Sequence, residues 1–180
     1  MKGLFFRGAI GALLVMAVAR VASAQVTVLL PDTTQTTTLT ATVADQATVT
    51  TPSAVTFMVN DITSATAGSA AAVTVTSIVL PTATDRLKIS LKANAASFTP
   101  PVASTVTWAA GDVSWTGGSW TAATPAAGTL SSASFGEVAR CTADVTACNS
   151  TDVAFTLAAK PTVQHSGNHT LVITWKFEKI

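Results

Sequence analysis

The sequence predicts an all-β protein built as an antiparallel β-sandwich, and three observations carry this prediction. Threonine occurs 32 times and valine is also abundant, and both favour an extended backbone because their branched Cβ restricts χ1. Short apolar runs recur at regular spacing and are separated by proline, glycine and asparagine, which is typical of strands joined by turns. After the first 24 residues, no segment combines helical periodicity with capping signals.

The first 24 residues have the pattern of a cleavable secretory signal. A basic start precedes the apolar run 9–19, and an Ala-Ser-Ala sequence at 22–24 stands before Gln25, as a signal-peptidase site requires. The apolar run is shorter than the roughly 20 residues of a membrane-spanning helix. We therefore expect a mature chain that begins at Gln25, is secreted to the extracellular space or the periplasm, and contains no membrane span.

Composition divides the chain into three segments. These are a signal peptide at 1–24, a threonine-rich N-terminal extended arm at 25–51 and a β-sandwich domain at 52–180. In the arm, Leu39, Ala41 and Val43 alternate with polar residues, which predicts one or two strands. The low-complexity, threonine-rich composition makes disorder the alternative there. The rest of the chain suits one domain of ordinary size.

Nine candidate strands lie in the predicted domain. They span 54–59, 72–80, 86–93, 105–109, 112–116, 119–122, 135–140, 152–158 and 169–179. This number and spacing fit an immunoglobulin-like (Ig-like) sandwich of seven to nine strands, with an up-and-down barrel as the second choice. In the last strand, Leu171, Ile173, Trp175 and Phe177 share one apolar face, so we expect these side chains in the core and the strand inside a sheet.

Three of the four tryptophans cluster in one stretch, where they either fill the interior or offer a platform to a ligand. A hairpin turn at 110–111 would put Trp108 and Trp115 on one face with valines, and a second turn at 117–118 would place Trp115 opposite Trp120. A face shared with valines is typical of a core, so Trp108 and Trp115 are predicted core residues. Trp120 borders an irregular stretch and is the candidate for ligand binding, with a polysaccharide as the ligand.

The remaining residue types give little support to catalysis or metal binding. Cys141 and Cys148 are the only cysteines, and an even count in an exported chain predicts a disulfide that tightens a loop. His165 and His169 flank a turn and lack an identifiable third metal ligand. The acidic residues are scattered singly along the chain. The sequence contains neither a nucleophile-elbow motif nor a phosphate-binding glycine loop. We expect no catalytic residue, no metal and no cofactor. The alternative that stays open is a pair of glycosidase carboxylates that lie far apart in the sequence.

Net charge argues against a nucleic-acid partner. Loss of Lys2, Arg7 and Arg20 with the signal leaves the mature chain with a net charge of about −2. Nucleic-acid binding depends on basic patches that meet phosphates. The sequence shows no such patch, so we expect no nucleic-acid binding.

Five segments between residues 55 and 180 carry a resemblance to a known class of protein. They are VTFMVNDITSATAGSAAAVTV, RLKISLKANAASFTPP, DVSW, GTLSS and HTLVITWKFEKI. On these packing and turn motifs, the mature chain resembles small exported bacterial proteins with an Ig-like or pilin-like β-sandwich, of fibre or adhesin type or uncharacterised. The resemblance implies a non-enzymatic structural or adhesive protein, secreted or at the cell surface.

Filament assembly by strand addition from the N-terminal arm is one form of that role. The partners expected on this interpretation are further copies of the chain or another surface protein. The alternative function is a carbohydrate-binding module that uses Trp120 and the neighbouring loop.

Overall fold

The computed structural model describes residues 36–103 and 105–180 and shows an all-β chain. The described residues form twelve strands and one short 3₁₀ turn, Ala110–Asp112. The strands are Gln46–Thr50 (β1), Thr66–Ala67 (β2), Val73–Val79 (β3), Leu87–Ala93 (β4), Val113–Thr116 (β5), Trp120–Thr121 (β6), Ala123–Pro125 (β7), Gly128–Thr129 (β8), Gly136–Cys141 (β9), Cys148–Ser150 (β10), Ala154–Leu157 (β11) and Ile173–Lys179 (β12). The predicted signal peptide and the first part of the predicted arm lie outside the described residues.

The described strands form three antiparallel sheets of four strands each. Sheet I has the order β1-β3-β10-β6, sheet II the order β2-β11-β5-β8, and sheet III the order β12-β4-β9-β7. The chain passes from sheet I to sheet II in the three residues between β10 and β11.

One face of β4 shows how the sheets are layered. This face carries the buried residues Leu87, Ile89, Leu91 and Ala93 at alternate positions. The first two pack with β3 and β10 of sheet I, and the last two pack with β5 and β11 of sheet II. Because alternate residues of a strand point to the same side, sheets I and II cover the same side of sheet III. The fold is therefore a two-layer β-sandwich.

The chain divides into two compact units, Met1–Ala41 and Thr42–Ile180. In the first unit, the described residues 36–41 are exposed and form neither strand nor helix. The second unit contains all the strands described above. It begins before the predicted domain start at residue 52, because β1 lies within the predicted arm and pairs with β3.

The predicted strand 105–109 and the hairpin at 110–111 are wrong. Residues Ala110–Asp112 form the 3₁₀ turn instead, and the Asp112 carboxylate accepts a hydrogen bond from the Ala109 N–H at 2.8 Å. A side-chain acceptor of this kind competes with strand pairing for the backbone donor. Strand β5 pairs with β11 and β8, so Trp115 lies opposite Phe155 and Gly128 and not opposite Trp120.

The predicted strand 54–59 is reduced to one bridge, between Phe57 and Gly68. Next to this bridge, the Thr56 N–H donates to the Ser69 hydroxyl at 3.0 Å. The hydroxyl takes the place of a carbonyl acceptor, so a regular ladder does not extend here. Strand β2 lies in the stretch of small residues between this predicted strand and the one predicted at 72–80.

Candidate binding cavity and open sheet edge

Strand β12 lies at the edge of sheet III, and its outer side has no pairing partner among the described residues. The prediction that this strand lies inside a sheet is wrong, because β12 pairs only with β4, in register from Ile173 opposite Ala93 to Lys179 opposite Leu87. Alternation in a sequence reports what the two faces of a strand contact. It carries no information about neighbours in the hydrogen-bonding direction, which is perpendicular to that of the side chains.

Half of the backbone groups of β12 point to the open side. Directly after β12, Ile180 and Arg86 exchange two hydrogen bonds of 2.9 and 3.1 Å. Antiparallel pairs alternate between bonded and non-bonded positions, so the even-numbered residues of β12 bond to β4. The N–H and C=O groups of the odd-numbered residues face outward, and these residues are Ile173, Trp175, Phe177 and Lys179.

A cavity of about 980 Å³ opens beside the first half of β12. Its walls include five aromatic side chains, which are Phe57, Phe98, Trp108, Phe155 and Trp175. Among the described residues that line it, none is Asp, Glu, Lys or Arg, and polar side chains come mainly from the segment 164–170. A concave, mostly apolar site of this size with a few polar groups is typical of small-molecule binding sites.

His169 lines this cavity and stands against Trp108. The two rings are nearly perpendicular, with centroids 5.2 Å apart. The His169 Nε2 atom lies 3.1 Å from the His165 carbonyl oxygen, so Nε2 donates to it, and Nδ1 accepts the Thr107 hydroxyl at 2.8 Å. Both ring nitrogens are therefore engaged within the protein. In the part of the chain that the structure describes, no group of three or more His, Cys, Asp or Glu side chains could hold a metal ion.

Trp108 and Trp115, the tryptophans predicted for the core, are buried and expose 4% and 2% of their surface. The indole N–H of Trp108 donates to the Ala158 carbonyl at 2.9 Å, and that of Trp115 donates to the Ala126 carbonyl at 3.1 Å. Buried indoles with a satisfied N–H group stabilise the interior through both packing and polarity.

The four apolar residues predicted for the core from the last strand are half-buried. They pack against the two core clusters and comprise Leu171, Ile173, Trp175 and Phe177. Three of them also line the cavity. Their incomplete burial follows from the edge position of β12, because a strand with one lateral neighbour leaves part of its apolar face uncovered.

Trp120, the predicted ligand-binding residue, lies on the edge strand β6 and is half-buried. Its ring packs against both core clusters. Its Nε1 atom is buried and has no hydrogen-bond partner among the described residues. Trp120 is also separate from the described walls of the cavity. Carbohydrate binding by Trp120 and its loop stays a prediction of the sequence.

Cys141 and Cys148 form the predicted disulfide, with their Cα atoms 5.8 Å apart. Cys141 ends β9 in sheet III, and Cys148 begins β10 in sheet I. Both residues are buried in the core cluster between these sheets. The disulfide therefore joins the two layers of the sandwich, which is more than the loop-tightening role expected from the sequence.

Ion pairs fix both the turn before β5 and the end of β12. Lys160 Nζ lies 2.7 Å from Asp112 Oδ2. Partial burial raises the pKa of Asp112, but hydrogen bonds from Lys160 and the Ala109 N–H, together with the Lys160 charge, outweigh it and hold this pKa below its ordinary value. At the end of β12, Lys179 binds Asp45 at 2.9 Å, and this hydrogen bond raises the pKa of Lys179.

The cavity was not predicted from the sequence. Its aromatic walls come from parts of the chain that are far apart, and Phe57, Phe98 and Phe155 are each the only aromatic residue in their stretch. An isolated aromatic residue in such a stretch was the signal available. Such a residue indicates a buried position, but it does not indicate which aromatic side chains contact one another in the fold.

Comparison with known proteins yields no match among family models, curated proteins or solved structures. Within the described residues, no helix has the length and apolar character needed to cross a membrane.

Proposed function

We propose that the protein is a non-enzymatic structural or adhesive protein, secreted or at the cell surface, that associates with further copies of itself by strand addition at β12. The observation that carries this proposal is the open edge of a seven-residue strand. Its outward N–H and C=O groups are a template for another strand, and main-chain hydrogen bonds supply the affinity in such contacts.

Four of the five other edge strands are poorer acceptors. Strands β2, β6, β7 and β8 contain only two or three residues each, and short edge strands resist pairing with other chains. Strand β1 has five residues. Two of the three charges on β12 alternate with its apolar residues, and Glu178 is held there by Lys176 and Lys88. Lys176 and Glu178 therefore lie on the face opposite the apolar residues, and the third charge of the strand, Lys179, is paired with Asp45.

The segment that precedes β1 has the pattern of a strand that could be added. Leu39 and Val43 expose 93% and 68% of their surface. Together with Ala41 they would share one face in an extended conformation, with threonines on the other face. Covering an exposed Leu or Val side chain fully contributes roughly 1.5–3 kcal/mol. We assign this segment of a second copy as the strand that pairs with β12.

The compartment in the proposal is supported by two features. The first 24 residues have a secretory pattern, and the Cys141–Cys148 disulfide suits an oxidising environment outside the cytoplasm. An Ig-like or pilin-like sandwich exported in this way accounts for both the open edge and the apolar segment before β1.

The proposal is tested by light scattering of the mature chain, residues 25–180, over a range of concentrations. We expect oligomers for the natural sequence and monomers for Leu39→Asp/Val43→Asp, because burying two carboxylates without a partner on the apolar face of the added strand is unfavourable. The matched control is Thr40→Asp/Thr42→Asp, which adds the same charge to the opposite face and should still associate. A natural sequence that stays monomeric, or equal association of all three proteins, refutes strand addition.

A further inference from the structure

We propose that the cavity beside β12 binds a small, uncharged and largely apolar molecule that carries a hydroxyl or carbonyl group at one end. This inference rests on the cavity and is independent of strand addition. An added strand would pair with β12 in the plane of sheet III. The cavity instead has walls from β5 and β11 of sheet II as well as from β12 of sheet III, so it lies between the layers.

The absence of charge in the described walls decides the class of ligand. None of the described lining residues is Asp, Glu, Lys or Arg. A charged group brought into such a cavity would lose its hydration and find no opposite charge, which weakens binding. An uncharged molecule carries no such penalty. The walls therefore select neutral compounds over ionic ones of the same shape.

The aromatic walls select a ligand with a large apolar body. Trp108 and Phe155 contribute from the buried core, and Phe57 and Trp175 contribute from half-buried positions. Such rings offer broad apolar surface and specific stacking or edge contacts to a hydrocarbon or ring system. A volume of about 980 Å³ is at the upper end of the range for small-molecule sites, roughly 300–1,000 Å³. It suits a molecule of lipid size or a fused-ring compound.

The polar wall gives the ligand its orientation. The segment 164–170 contributes Gln164 and Asn168 to the residues that line the cavity. The ring nitrogens of His169 are already engaged with Thr107 and with the His165 carbonyl. The two amides can each donate and accept hydrogen bonds, and so they suit a hydroxyl or carbonyl group at one end of the ligand.

The test compares two dyes that share one ring system. N-phenyl-1-naphthylamine is uncharged, and 1-anilinonaphthalene-8-sulfonate carries one sulfonate. We expect saturable one-to-one binding of the neutral dye by the mature chain, with quenching of tryptophan emission, and an affinity at least tenfold higher than that of the sulfonate. Neutral aliphatic alcohols should displace the dye.

Variants locate the site. Val163→Trp fills the cavity from its wall and should weaken binding of the neutral dye at least tenfold. If this variant does not fold, the smaller change Val55→Phe fills the same cavity and should have the same effect. The control is Val49→Trp, which adds the same indole to exposed β1 and should leave binding unchanged. Near-ultraviolet circular dichroism confirms folding of each variant.

Several outcomes would overturn the proposal. These are no saturable binding of either dye, equal affinity for the two dyes, and full binding by both cavity-filling variants. Binding by Leu39→Asp/Val43→Asp but not by the natural sequence would mean that a segment of the chain occupies the cavity, which also overturns it. Monomeric behaviour of the natural sequence, by contrast, would refute strand addition and leave this proposal standing.

Discussion

The Trp115 ring is held against two glycines, and replacing one of them by alanine should overpack the core. A Cβ atom on Gly136 would lie 2.6 Å from Cη2 and 3.0 Å from Cζ2 of Trp115. Gly128 approaches the same ring edge as closely. Trp115 cannot yield easily, because it is buried and its Nε1 is bonded to the Ala126 carbonyl. Gly136→Ala therefore forces a shift in packed atoms.

Forced overpacking of a core costs about 1–3 kcal/mol. For a domain of this size, each kcal/mol lowers Tm by about 2–4 °C, so we expect a decrease of roughly 2–12 °C. Urea unfolding followed by tryptophan fluorescence should show a lower midpoint at unchanged slope, which identifies a change in stability and not in the unfolded state.

Gly111→Ala is the matched control for this substitution. A Cβ atom on Gly111 meets no described atom within 4 Å, so the free energy of unfolding should change by no more than about 0.5 kcal/mol. If Gly136→Ala is as stable as the natural sequence, or if both variants lose the same stability, the Trp115 ring is not confined as described and the reasoning is refuted.

Three further predictions concern stability. Because the pKa of Asp112 lies below its ordinary 3.8, its carboxylate contributes stability that is present above pH 3.8 and is lost as the pH falls through the folded-state pKa. The stability difference between the natural sequence and Asp112→Asn, measured by urea unfolding, should therefore shrink below pH 3.8, and a difference that grows on acidification contradicts this assignment. Cys141→Ala/Cys148→Ala opens an eight-residue loop and should lose roughly 2.5 kcal/mol; unchanged stability in urea would show that the disulfide contributes nothing. Trp108→Phe removes an indole N–H that donates to a carbonyl, whereas the indole N–H of Trp120 has no described partner. Trp108→Phe should therefore lower the free energy of unfolding by about 1–3 kcal/mol more than Trp120→Phe does. Equal losses in calorimetry would argue against the Trp108 hydrogen bond.

Strands with one buried face could be predicted from the sequence with accurate bounds. Strand β4 was expected at 86–93 and lies at Leu87–Ala93, and β3 was expected at 72–80 and lies at Val73–Val79. Alternation of apolar and polar residues reflects burial directly, and burial is what stabilises these strands. The core position of Trp115 on β5 follows from the same physical cause. Trp108 is buried as predicted, although the strand and hairpin from which this was predicted do not form.

The pairing of strands and the position of the cavity could not be predicted in this way. The turn at Ala110–Asp112 depends on one side-chain acceptor, and the edge position of β12 depends on which strands lie beside it in space. The cavity depends on five aromatic residues that meet only in the fold. Contacts between distant parts of a chain leave no periodic signal in the sequence.

Hydrogen exchange of the β12 amides, measured residue by residue by NMR, tests the open edge most directly. In dilute monomeric protein, the even-numbered amides at 174, 176 and 178 should exchange slowly because they bond to β4, and the odd-numbered amides at 173, 175 and 177 should exchange fast. On association the odd-numbered amides should become protected. Protection of these amides already in the monomer, or fast exchange that persists in the assembled protein, would contradict the assignment of β12 as the accepting edge.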